Sequence, residues 1–191
     1  MKLFSLPLMA FLILSSLATA DTDSHEDNHD FEFTQHHAHQ HGLSNASISY
    51  TNQQIQVSIT LPAANVFGFE HSAINEKEQA VIDDALATLS SVDKIVSLHP
   101  ECNVLSHQIH HEIHKDEHTD HHEHNHSGHD DEHSDITLES LFSCDTNQAI
   151  KLTFNLFENF PSLEKINIQF ISDHHQDLYS ATAANNSFTI K

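Results

Sequence analysis

"NASISYTNQQIQVSITLP", Asn45 to Pro62, decides how the rest of the chain is read. Ile48 and Tyr50, then Ile55, Val57, Ile59 and Leu61, recur at every second position on either side of "TNQQ". Side chains of an extended chain alternate between two faces, so this spacing puts one apolar face on each of two strands. The four residues between them have turn composition, which predicts a β-hairpin. Pro62 has no N–H to give a ladder and ends the second strand.

Outward from the hairpin the pattern changes twice. "AANVFGFEH" reads as a loop with apolar residues to bury. "NEKEQAVIDDALATLSS" then moves to helical spacing: Asn75 is placed to cap, acids follow in the first turn, and Val81, Ile82, Ala85, Leu86 and Leu89 form a stripe. A short second helical piece is expected from Ser91 to Leu98. Strands are expected from Cys102 to about Ile113, through "DITLESLFSC", over Ile166, Ile168 and Phe170, and in the tail around 178–181 and 187–190. "FENFPSLEK" is a brief helical turn. "TNQQIQVSITL" (51–61) and "TNQAIKLTFNL" (146–156) read as the same turn-plus-strand element used twice. Strands grouped around one main helix predict an α+β domain: an antiparallel sheet with that helix and short helical pieces on one face.

The beginning is not fold. "MKLFSLPLMAFLILSSLATA" has Lys2, an apolar run through Leu14 and a small-x-small end at Ala18-Thr19-Ala20, the pattern of an export signal cleaved after Ala20. The run is too short to span a bilayer comfortably, so no membrane insertion is expected after cleavage. Residues 21–35 are polar and acidic and read as a flexible arm, leaving 36–191 as the domain. In an exported protein the two cysteines, Cys102 and Cys144, are expected to pair, closing a loop whose constraint is worth about 4 kcal/mol. With Cys102 opposite Cys144, Val104 faces Phe142 and Gln108 faces Leu138.

Charge narrows the function. The chain has 28 acids against 7 basic residues, all of them lysine. Such a surface repels phosphate backbones and attracts cations, which argues against nucleic acid as a partner. The stretch 107–133 alone carries eleven histidines and eight acids, with Ile109 and Ile113 as its only large apolar residues. A segment of that composition buries too little to order itself, so a disordered insertion at 107–135 is expected within a hairpin. What it presents is imidazole nitrogen and carboxylate oxygen, ligands suited to Zn(II), with Ni(II) and Cu(II) as competitors in vitro. His110, His114, His118, His122 and His126 are four apart and would share a helical face; His121, His124 and His129 serve equally well, and His107, His111 and His133 complete the candidate ligands of the run. Several exchangeable sites follow from this density, not one cage.

A second cluster, "HHAHQHG", sets His37, His39 and His41 two apart, on one face of an extended strand. Two or three imidazoles plus a residue from elsewhere make a tetrahedral zinc site, with Glu70 and His71 or His174 and His175 as candidates. No His-Glu-x-x-His helix, Gly-rich phosphate loop or nucleophile elbow is present, so an enzyme is not expected.

With "HxHxHG" (His37, His39, His41, Gly42), "LPAANVFGFEH" (Leu61 to His71), the His/Asp/Glu-rich insertion ahead of a cysteine, and "LFENFPSLEKINIQF" (Leu156 to Phe170), the chain resembles the bacterial periplasmic ZrgA-type zinc-uptake proteins. The resemblance implies zinc binding in the periplasm and work beside a zinc ABC importer. Its functional positions here are the triplet, Glu70, His71 and the insertion as a whole. The rival from residues alone is a metal-sequestering stress protein that buffers excess zinc, nickel or copper without transfer. A small metalloenzyme is a third reading.

Overall fold

The computed structural model describes residues 40–100, 102–115 and 132–190. The expected hairpin is there: β1 (Leu43–Thr51) pairs antiparallel with β2 (Gln54–Pro62). Asn52 and Gln53 form its two-residue turn with φ of 50° and 61°. Positive φ at both central positions gives the turn whose twist matches the strands it joins. Ile48, Ile55, Val57, Ile59 and Leu61 are all buried, as the alternation requires.

Around this hairpin stand α1 (Ala63–Val66), α2 (Glu76–Leu89), α3 (Val92–Ile95), β3 (Val96–His99), β4 (Asn103–Lys115), β5 (Glu132–Ser143), β6 (Ile150–Phe154), α4 (Leu156–Asn159), β7 (Lys165–Ser172), β8 (Gln176–Thr182) and β9 (Ser187–Ile190). They make two sheets: six strands in the order β4-β5-β2-β1-β7-β8, and three in the order β3-β6-β9. Inward side chains of both sheets and of α2 merge in one apolar cluster, with Ile59, Leu61, Leu89, Leu138, Leu152 and Phe154 almost wholly buried. Each such side chain contributes roughly 2 kcal/mol.

The main helix starts as expected. Asn75 Oδ1 accepts from the backbone N–H of Lys77 and Glu78, and Glu78 Oε2 returns the favour to Ile74 N. These bonds satisfy donors that a helix N-terminus otherwise leaves orphaned. Of the stripe, Ile82, Ala85 and Leu89 are buried and Leu86 is partly so, but Val81 is 44% exposed. The piece from Ser91 splits into one helical turn and then β3, because Val96–His99 is drawn into pairing with β6.

Three differences from the sequence reading matter. The sheet is antiparallel-rich, but β1 and β7 run parallel; alternation reports faces, not strand direction. The repeated segments end in different sheets, β2 in the larger and β6 in the smaller. Among the described residues, positive φ at non-glycine positions is confined to Asn52 and Gln53, so the second "TNQ" makes a different turn. Finally, 107–115 and 132–135 are paired strand within the β4–β5 ladder, which runs to Lys115↔Glu132. Pairing against an already anchored β5 orders residues whose own composition does not. The expected signal (1–20) and acidic arm (21–35) lie outside the described residues, as does 116–131. Among the described residues no helix is long and apolar enough to cross a membrane.

Candidate metal centre

The β4–β5 ladder has a covalent base. Cys102 and Cys144 are bonded, with Cα atoms 4.6 Å apart. From that base Asn103 faces Ser143 and Val104 faces Phe142, as expected. Leu105 then bulges out, and from Ser106↔Leu141 onward the register is shifted by one. Gln108 therefore faces Glu139, not Leu138. An extra residue in one strand exchanges its faces from that point on. His107, Ile109, His111 and Ile113 now sit opposite buried Ser140, Leu138, Ile136 and Ser134, while His110 and Glu112 take the outer face. The shift also sets Glu112 opposite Asp135 and His114 opposite His133. Uncorrected, the register would have placed Ser134 and Glu132 there. Glu112 and Asp135 were not among the residues singled out from sequence, because the bulge that brings them together leaves no mark in the alternation.

Two histidines of this ladder have opposite fates. His107 Nε2 donates to Leu89 O at 2.8 Å, at the C-terminal end of α2, and Nδ1 accepts from Ser140 Oγ at 2.9 Å. A carbonyl only accepts, which fixes that tautomer in the neutral ring and leaves no lone pair for a metal. His133 Nδ1 lies 2.9 Å from Glu70 Oε2. In the neutral ring Nδ1 then carries the proton and the carboxylate accepts it, the kind of contact by which carboxylates orient metal-binding histidines. Glu70 and His133, 63 residues apart in the chain, are thus joined. His71 is disposed the same way: Nδ1 is 2.9 Å from Ser72 O, which leaves Nε2 as the acceptor in the neutral ring.

An aromatic string joins these groups. His71 stacks on Phe69 at 4.9 Å, Phe69 lies 6.0 Å from Phe67, and Phe67 meets His111 edge-on at 5.3 Å. The loop 67–71 therefore packs against the end of the β4–β5 ladder. His111 is half-buried there, and its Nε2 is sealed from solvent without a hydrogen bond. Burial drives its pKa below the usual 6.5, so it stays neutral where exposed imidazoles charge.

His41 is exposed and immediately precedes Gly42, at the entry to β1. Register places that entry at the same end of the large sheet as the end of β2 and the start of β5, since Asn45 pairs with Thr60 and Pro62 with Asp135. β5 and β1 are two strand spacings apart, roughly 10 Å. His110 is exposed beside Thr137, and His114 pairs with His133 in the ladder. His37, His39, His118, His121, His122, His124, His126 and His129 lie outside the described residues. His174 and His175 occupy the β7–β8 turn at the opposite end of the sheet, where His175 Nε2 is 3.3 Å from Asp177 Oδ2. They do not join the cluster. Among the described residues, no group of three or more His, Cys, Asp or Glu side chains is assembled to hold a metal ion.

No curated protein matches this chain. Residues 38–190 match the family described as ZrgA family zinc uptake protein, a span that starts after His37, takes in His39 and His41, and runs to the last strand. Its end-to-end extent takes in both sheets, the stapled ladder and the loop bearing Glu70 and His71, and the chain belongs to the ZrgA family of zinc uptake proteins.

Proposed function

We propose that this protein captures Zn(II) in the periplasm and supports its uptake through a zinc ABC importer. The carrying observation is convergence: the entry to β1 with His41, the loop with Glu70 and His71, and both roots of the acidic histidine segment meet at one end of the six-stranded sheet. In this reading the segment 116–131, with His118 through His129, gathers cations at several weak sites, since its carboxylates raise the local cation concentration. His37, His39, His41, His71, His110, His111, His114 and His133 form the more ordered site, with Glu70 orienting His133. Neutral imidazole binds and imidazolium does not, so capacity declines through the histidine range.

Calorimetric zinc titration of the processed chain, beside a variant lacking 116–131, tests this. Several sites are expected in the intact chain and at least one tight site in the shortened one. Loss of all tight binding on shortening would remove the ordered site from the account. Restoration of zinc-limited growth by the intact chain, only where a zinc importer is present, is expected for uptake; a benefit under zinc excess alone would favour sequestration.

A further inference from the structure

We infer that Asn65 is a positioning residue for metal capture, whose amide clasps the chain just after His41 to the segment that carries Glu70 and His71. The inference rests on the zinc-capture reading above. Asn65 sits in α1 and is 2% exposed. Its Oδ1 accepts from Gly42 N at 2.8 Å, and its Nδ2 donates to Leu43 O at 3.0 Å and to Ser44 Oγ at 3.3 Å. Every one of these partners lies in the three residues following His41. Among the described residues, the amide therefore bonds to this one short segment.

That segment is held from the other side as well. Gly42 O accepts from Glu164 N at 2.8 Å and from Lys165 N at 2.9 Å. Gly42 has φ of +79°, and a Cβ there would come within 2.9 Å of Glu164 side-chain carbons. Both backbone groups of Gly42 are thus engaged, in a conformation that favours glycine. The stretches "HG", "PAAN" and "LEK" are far apart in sequence and interlock at this point. A buried amide is costly unless satisfied, and this one is satisfied by fixing the backbone that follows His41 into β1. Five residues after Asn65 comes Glu70, which orients His133. One side chain therefore sets the relation between two ligand-bearing segments.

A double-mutant cycle on the full processed chain separates positioning from simple stability. Zinc affinity is measured by competition for wild type, for Asn65→Ala, for a variant with His37, His39 and His41 all replaced by alanine, and for the combination; thermal unfolding without metal is followed in parallel. Asn65→Ala is expected to weaken zinc binding at least tenfold in the wild-type background and less than twofold where the triplet is absent. Asn65→Asp keeps the acceptor for Gly42 N and loses both donors, and is expected to recover part of the affinity. If Asn65→Ala does not fold, Gly42→Ala is substituted in the cycle with the same expectation. Wild-type affinity in a folded Asn65→Ala, or an equal loss with and without the triplet, overturns the inference. A triplet variant that binds zinc as tightly as wild type overturns the triplet's place in the site, and the clasp's role with it.

Discussion

The two ends of the β4–β5 ladder, roughly 35 Å apart, are built on opposite principles. At the base, Cys102 and Cys144 are joined covalently and Phe142 and Cys144 are buried. At the far end stand His111, His133, Glu112 and Asp135, with Glu70 reaching across from another segment. The base confers stability without needing polar groups. The far end gathers acids and imidazoles, among them Glu112 directly opposite Asp135, and like charges in that position repel. Placing the staple at one end lets the other carry that arrangement, because the ladder between them is long and its register is held.

The largest effect that sharpens this contrast comes from the base. Replacing both cysteines by serine is expected to lower unfolding free energy by about 4 kcal/mol, read by denaturant titration, while zinc affinity of the folded protein moves by less than about threefold. Equal loss of both would mean the ends are not independent. Next come the two histidines with different jobs. His107→Leu leaves Leu89 O without its donor and is expected to cost about 1–3 kcal/mol of stability, with zinc affinity unchanged in calorimetry. Glu70→Gln should do the reverse, reducing zinc affinity about 10–100-fold through His133, with little shift in melting temperature. If His107→Leu weakens zinc and Glu70→Gln does not, the assignment of roles is inverted.

A smaller effect separates buried from exposed imidazole. His111 has its pKa lowered by burial, so below about 6.5 the unfolded chain takes up a proton that the folded chain resists. Its contribution to stability is complete above 6.5 and is lost as pH falls through the depressed folded value. Wild type should therefore lose more stability than His111→Phe between pH 7 and 5.5, measured by urea unfolding without metal. Identical slopes would show that His111 titrates like an exposed ring. The smallest effect lies in the β1–β2 turn, at the staple's end of the sheet, where Cys144 N donates to Gln53 O. Gln53 holds φ of 61° at a cost glycine does not incur. Gln53→Gly is expected to raise stability by about 0.5 kcal/mol, with no change in zinc binding.

Much of the fold was legible because local physics announces it. Alternation marked β1, β2, β7 and the tail strands, and a capping Asn75 ahead of a periodic run marked α2. Val81 shows the limit: it falls on the helical stripe, yet among the described residues it stays exposed. The site was legible as composition and not as arrangement. His107 and His133 are indistinguishable in a histidine-rich run, and only the neighbours supplied by α2 and by the 67–71 loop tell them apart. Asn65 carried no chemical signal at all, being one asparagine in a short loop motif. Glu112 and Asp135 were hidden by the bulge at Leu105.

From residues alone came the hairpin, the main helix, the paired cysteines as an expectation since met, and the expectation of an affinity for borderline divalent cations, each following from spacing or side-chain chemistry that neighbours in sequence suffice to define. Tertiary structure decided the parallel β1–β7 pair, the division into two sheets, the one-residue register shift, and which partners the ladder's imidazoles bond to. The physical reason is common to all four. Strand direction, register and hydrogen-bond partnership are properties of pairs of segments distant in the chain, and a single sequence records each segment's own preferences but not the partner that satisfies them.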